Sequence, residues 1–262
     1  MSLDLIERHK KDRAKILTVL ESAPSFPTPQ DIHSVSVPVP HVQWCGQQKG
    51  EYEGEALSEY GDRTPVKMPF EWLTKDIMVM RNTLDHYPGG PGEAIRVAES
   101  VNNWRRTDVM TADDKPRIIY DDESRNNDAL SIWRGNDEAL VLLERALMLV
   151  SSAAVFCYQT NNTFLDVRHD MGYLLNRYRE GQYFRAHIDT VRNDAYLALR
   201  RLSLVIFLNS VEEGGELLFI RDNIKIKPEP GLAVAFPAGI THPHEACEVT
   251  KGVKYAIVTW YV

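Results

Sequence analysis

Residues 183–190 read YFRAHIDT, and the reading of His187 and Asp189 within them decides what the rest of the chain must build. On a strand, residues two apart point to one face, so this imidazole and this carboxylate leave the backbone on the same side. A metal held there needs a third ligand from a distant strand. THPHE, residues 241–245, offers His242 and His244, and Lys254 then opens an apolar final strand, YAIVTWYV. Two imidazoles and one carboxylate can hold iron(II) on one face and leave positions open for a cosubstrate and dioxygen. An HxD pair alone is a weak signal, and its bland reading is a hydrogen-bonded strand histidine. The signal grows with the strand-rich surroundings, the second histidine and the lysine behind it. Spacing does not choose between His242 and His244.

Working outward, the chain after Thr163 reads as short strands parted by turns: FLDVRH, GYLLNRY, FRAHID, LSLVIFLN, ELLFI, LAVAFP, EACEV and YAIVTWYV. Glu-Glu-Gly-Gly at 212–215 and Pro-Glu-Pro-Gly at 228–231 supply turns. This pattern predicts a mainly β chain with flanking helices (α+β), built as a sandwich or barrel. Upstream, helices are predicted over 4–22, 69–86, 92–106 and 137–158. Residues 23–66 read as irregular with one or two strands, VSVPVPHVQW among them, and DDESRNND at 121–128 reads as an exposed loop. The expected organisation is one structural unit, with an N-terminal helical and irregular elaboration (1–160) packed on a β core (161–262).

Hydrophobic residues at 44% and charged residues at 26% are ordinary globular values, so a folded chain is expected. A formal charge of −7 argues against attraction to phosphate backbones or acidic membranes, and no nucleic-acid partner is expected. The pairs Arg105/Arg106 and Arg200/Arg201 read as solvated or ion-paired surface, able at most to hold an anionic substrate. Three widely spaced cysteines do not form a disulfide framework. The charged N-terminus lacks the apolar core of a secretion signal, and the apolar run 146–158 is shorter than a bilayer span. A soluble cytoplasmic protein with no membrane partner is expected.

From Tyr173 to Val262 the sequence resembles the prolyl 4-hydroxylase-like branch of the iron(II)/2-oxoglutarate-dependent dioxygenases. The motifs that carry the resemblance are LLNRYREGQYFRAHIDT, RRLSLVIFLNSVEEGGELLF and PGLAVAFPAGITHPHEACEVTKGVKYAIVTWYV, in that order. In that family the last histidine precedes a basic residue by a short interval, which His244 to Lys254 fits and His242 does not. The resemblance implies a double-stranded β-helix, the jelly-roll or cupin-like core, with His187, Asp189 and His244 as iron ligands. It implies that Lys254 grips the far carboxylate of 2-oxoglutarate, that Tyr178 adds a hydroxyl donor there, and that Ser203 stands where the family usually has threonine lining the cosubstrate. The bland readings are a packed aromatic for Tyr178, a solvent-facing hydroxyl for Ser203 and an edge-strand charge for Lys254.

Fe(II), 2-oxoglutarate and dioxygen are therefore the implied cofactor and cosubstrates, with succinate and carbon dioxide as co-products and hydroxylation as the default outcome. Related halogenases carry a small residue in place of the carboxylate, so Asp189 disfavours halogenation. The favoured substrate is a small molecule such as an amino acid or natural product. A prolyl-type hydroxylase acting on a peptide is the alternative enzyme, and a non-catalytic metal-binding barrel serving as sensor or scaffold is the alternative from another class. Arg185, Arg192 and Arg200 are candidates for meeting an acidic substrate group, and a salt-bridged rim arginine is the bland reading of Arg185. The sequence leaves the oligomeric state open.

Overall fold

The computed structural model describes residues 49–57, 63–110, 118–132, 138–162, 165–191 and 194–262. The readings of a helix at 4–22 and of a strand in VSVPVPHVQW lie outside them. In chain order the strands are β1 (Lys49–Leu57), β2 (Arg63–Trp72), β3 (Met78–Met80), β4 (Arg105–Arg106), β5 (Val109–Met110), β6 (Ile118–Ile119), β7 (Asp128–Ile132), β8 (Tyr173–Tyr178) and β9 (Phe184–His187). They continue as β10 (Leu202–Phe207), β11 (Glu213–Gly214), β12 (Leu217–Phe219), β13 (Ile224–Ile226), β14 (Ala233–Pro237), β15 (His244–Ala246), β16 (Val249–Lys251) and β17 (Lys254–Tyr261). Among the described residues, the α-helices α1 (Gly90–Val101) and α2 (Glu138–Asn161) pack on each other.

An antiparallel nine-stranded sheet has the order β1-β2-β3-β14-β10-β17-β8-β7-β4, and a four-stranded sheet the order β13-β12-β15-β9. Alternation along the strands gives the large sheet two different faces. On β10, Leu202, Leu204 and Ile206 join the core beneath the helices, with Leu143, Leu147 and Val150 of α2 and Ile257 of β17. The intervening Ser203, Val205 and Phe207 turn to the other side. There Phe207, Val234, Phe236 and Ala256 meet Leu217, Phe219 and Ile226 of the small sheet. Two sheets facing across this second core form a double-stranded β-helix, the predicted mainly β architecture with outer helices.

The helix predicted over 69–86 is instead the end of β2, a turn and β3. Phe70, Leu73, Ile77, Met80 and Leu84 lie at helix-like spacing, but buried Val66, Met68, Phe70 and Trp72 keep the two-residue period of a strand. The Thr74 hydroxyl then stops extension by accepting hydrogen bonds from the backbone N–H of Asp76 (3.1 Å) and Ile77 (3.0 Å). The predicted helix 92–106 ends early, at a left-handed Asn102, and Arg105–Arg106 pairs into the sheet as β4. Residues 165–169, expected as a strand, carry none, whereas Glu213–Gly214 of the expected turn forms β11. Helix α2 is longer than the apolar run read from sequence: Ala139–Asn161 is long and apolar enough to cross a membrane by length and composition. In this structure its stripe of Leu143, Leu147, Val150, Ala154 and Tyr158 is buried against the sheet. The described part of residues 1–160 contributes five strands of the large sheet, β1, β2, β3, β7 and β4.

Candidate active site

Strands β9 and β15 lie side by side in the small sheet, and their register sets His187 directly opposite His244. The two imidazole centroids are 4.3 Å apart. Just beyond the end of β9 the chain is held by the Asp189 N–H donating to the Ala238 carbonyl at 3.1 Å, which turns the carboxylate between the rings. Asp189 Oδ1 is 3.6 Å from His187 Nε2, and Oδ2 is 3.7 Å from His244 Nε2. One ligand atom from each residue lies within 4.8 Å of the others. His242, the competing histidine, is outside this group, with its Nδ1 2.8 Å from the Thr241 hydroxyl.

Hydrogen bonding sets the tautomers. His187 Nδ1 faces the Arg185 carbonyl at 2.8 Å and His244 Nδ1 faces the His242 carbonyl at 3.0 Å. Each Nδ1 therefore carries the proton, and each Nε2 turns its lone pair toward Asp189. Burial lowers the His244 pKa to about 4, which keeps the ring neutral at physiological pH. Burial alone would raise the Asp189 carboxyl, but the attraction it gains when the adjacent rings are protonated in acid, together with the Ser203 hydroxyl, holds it well below its ordinary value, so it is ionised at neutral pH. Two imidazoles and a carboxylate form a donor set that fits divalent iron.

The wall behind this cluster is the inner face of the large sheet. Tyr178 on β8, Ser203 on β10 and Lys254 on β17 line the same cavity as His187, Asp189 and His244. The Ser203 hydroxyl donates to Asp189 Oδ2 at 2.6 Å. Lys254 is 2% exposed, donates from Nζ to the Gly215 carbonyl at 2.9 Å, and has Nζ 4.3 Å from the Tyr178 ring centroid. None of these contacts neutralises the ammonium, and burial lowers its pKa to about 8. Among the described residues its contacts are a carbonyl and a ring, with Glu216 acting only through space, so this buried cation can receive a carboxylate.

Other candidates fall elsewhere. Arg185 is half-exposed, 3.6 Å from Glu245 Oε1, and lies over the Tyr183 ring, in keeping with a rim arginine. Arg200 donates to the Asp189 backbone carbonyl at 2.9 Å and stacks on Trp260. Arg192 lies outside the described residues. The cavity also contains two residues that sequence reasoning passed over. Phe184 stacks on His187 at a centroid distance of 3.5 Å, and Arg125 lies over the other ring face, 4.4 Å from its centroid. Arg125 sits in the stretch read as an exposed loop, where no motif marks it; the isolated bridge between Arg125 and Phe184 brings it to the cavity.

Jelly-roll sheets enclosing a two-histidine, one-carboxylate cluster are the arrangement that non-haem iron oxygenases use. Residues 173–262 match the family described as the 2OG-Fe(II) oxygenase superfamily. Prolyl 4-hydroxylase 13 of Arabidopsis thaliana is 32% identical over 109 residues, covering 32% of this chain and 40% of that protein. The match thus spans about two fifths of that relative's length. A prolyl hydroxylase of Trichoplax adhaerens, solved with a hypoxia inducible factor peptide fragment, superposes with a TM-score of 0.58 at 19% identity, over 72% of this chain and 84% of that one. A Pseudomonas putida prolyl-4-hydroxylase gives a TM-score of 0.51 at 21% identity, over 71% and 91%. These two likenesses are likenesses of fold.

Proposed function

We propose that this protein is an Fe(II)- and 2-oxoglutarate-dependent hydroxylase acting on a prolyl residue presented in a peptide or protein. The observation that carries the reading is the convergence of His187, Asp189 and His244 in one cavity with a buried lysine that has no ion-pair partner among the described residues. His187 Nε2, His244 Nε2 and an Asp189 oxygen would hold the iron. The Lys254 ammonium and the Tyr178 hydroxyl would hold the far carboxylate of 2-oxoglutarate, and Ser203 would fix the Asp189 carboxylate through its hydrogen bond. When bound, iron and 2-oxoglutarate supply the oxidising chemistry: one atom of dioxygen enters the substrate C–H bond, the other enters succinate, and carbon dioxide leaves. The chain's part is to orient these groups and exclude water, with Phe184, Phe207 and Leu217 forming apolar wall.

The prolyl 4- and 3-hydroxylases among the relatives favour a prolyl substrate over the small molecule preferred from sequence alone. The test is incubation of the full chain with Fe(II), 2-oxoglutarate, dioxygen and proline-containing peptides. The expected result is the mass gain of one oxygen on proline with matching succinate. Product from free amino acids alone would overturn the peptide assignment, and no succinate under any condition would point to a non-catalytic scaffold.

A further inference from the structure

One row of side chains crosses four strands on the inner face of the large sheet. Arg105 on β4 is opposite Ala129 on β7, Ala129 is opposite Asn176 on β8, and Asn176 is opposite Ala256 on β17. Directly opposed residues share a face, so all four project to the side on which Asn176 and Ala256 line the candidate active site. The two alanines keep the row shallow. A second cavity, lined by Arg105, Ala129, Ser131 and Leu174, adjoins the first, and Arg125 lines both. A groove therefore runs along the sheet from the histidine cluster, past Arg125, to Arg105.

Among the described residues, neither Arg125 nor Arg105 has a carboxylate within ion-pair distance. Arg125 donates from Nε to Asn127 Oδ1 and from Nη2 to Asn176 Oδ1, each at 2.8 Å, and also hydrogen-bonds the Tyr178 hydroxyl; none of these partners is a carboxylate. Asp108 and Asp189 act on it only through space, and its burial lowers its pKa. A guanidinium has five N–H donors in a planar fork, so donors remain for a further acceptor. Arg105 has no ion-pair partner among the described residues, whereas its neighbour Arg106 is paired with Asp122. Asp108 and Arg106 also line the second cavity. Arg125 is desolvated and its hydrogen-bond partners are uncharged, so a carboxylate reaching its free N–H groups offsets part of that cost, with the exposed Arg105 adding attraction at the groove's outer end.

We propose that Arg125 and Arg105 form a carboxylate subsite of the substrate groove, so that the peptide hydroxylated here carries an acidic side chain close to its target residue. The proposal deepens the hydroxylase reading and rests on it for the word substrate, but the groove's preference for an acidic peptide can be measured without turnover. Fluorescein-labelled proline peptides that differ only in Glu or Gln beside the proline are titrated with the full chain, without iron or 2-oxoglutarate, and anisotropy is read.

A charge-assisted bidentate contact predicts about tenfold or greater preference for the Glu peptide. The preference should weaken with salt and collapse toward parity in Arg105→Gln, an exposed position whose replacement spares the buried network. Arg125→Lys, which keeps the charge and loses the fork, should also reduce it. Equal binding of the two peptides by the unaltered protein, or full preference retained in Arg105→Gln, overturns the proposal. N-acetylproline provides the small-molecule arm: if it displaces the Glu peptide at equal concentration, a free acid is the occupant and the peptide assignment falls. Arg105-dependent selectivity with no hydroxylation of any bound peptide leaves the subsite standing and removes the hydroxylase reading.

Discussion

The Ser203 hydroxyl donates its proton to Asp189 Oδ2 across 2.6 Å, joining a strand of the large sheet to the carboxylate between the two histidines. A serine has one O–H to give, and this one is committed to Asp189, leaving only lone pairs for any cosubstrate. Ser203→Ala is therefore expected to act mainly on the metal. Loss of a partner that orients a ligating carboxylate lowers metal affinity by about 10- to 100-fold. Titration with Fe(II) under nitrogen, or with Mn(II) followed by EPR, measures this; an unchanged affinity would release Ser203 from that role and return it to cosubstrate contact.

Asp189→Ala takes away the single anionic donor of the cluster. Two neutral imidazoles hold a divalent ion less well than the same pair with a carboxylate. The expected outcome is loss of both prolyl hydroxylation and tight Fe(II) binding, read as oxygenated peptide by mass and bound iron after desalting. Product formation at the unaltered rate would exclude this cluster as the metal site.

In its proposed role, Lys254 would give 2-oxoglutarate binding a pH dependence. With its pKa brought down to about 8 by burial, the side chain is an ammonium below that pH and increasingly an amine above it. A dicarboxylate favours the ammonium and raises its pKa. Affinity for 2-oxoglutarate should thus be level below about pH 8 and fall up to about tenfold per pH unit above it. Anaerobic calorimetry with Mn(II), in buffers of different ionisation enthalpy, should detect proton uptake on binding above pH 8 and little below it.

The same lysine bears on stability. Its folded pKa lies below its ordinary value of 10.5, so between about pH 8 and 10.5 the unfolded chain binds more protons, and stability contributed by this site rises with pH across that window. Replacement by an apolar chain of similar length removes the desolvated charge. At pH 7, Lys254→Met should raise the melting temperature of the cosubstrate-free protein, by on the order of 1–3 kcal/mol in free energy. It should also abolish the further rise that 2-oxoglutarate brings, and a melting temperature below that of the unaltered protein would count against the buried-cation account.

The parts of this fold legible in sequence are those where chemistry and period coincide. His187 and Asp189 could be paired because a two-residue spacing on a strand has one geometric meaning, and the alternation of 202–207 places Ser203 opposite Leu202 and Leu204 before any contact is known. The segment 69–86 was not legible, because its apolar residues fit a helical period once Val66 and Met68 are left out of the window. Arg125 was not legible for a different reason. Its role comes from a single bridge to Phe184 and from Asn127 and Asn176, contacts that join parts of the chain no local period relates.

Gly214 is another position whose requirement appears only in three dimensions, and its replacement tests how firmly Lys254 is held. It has φ +77° at a register shift between β11 and β16, and a Cβ there would stand 2.1 Å from the Glu248 carbonyl oxygen and 3.0 Å from the Thr250 nitrogen. Both atoms are backbone, so Gly214→Ala must move one strand. The next residue, Gly215, supplies the carbonyl that accepts from Lys254 Nζ. The variant should lose about 2 kcal/mol or more of stability and bind 2-oxoglutarate less tightly. Gly181→Ala is the control, since it shares φ +77° but a Cβ there meets nothing within 4 Å. It should show only the left-handed backbone cost of about 1–2 kcal/mol, with cosubstrate affinity intact. Thermal melts and calorimetry on the pair separate backbone strain from displacement of the lysine's partner, and equal cosubstrate affinities in the two variants would show that the Gly215 carbonyl does not help to set Lys254.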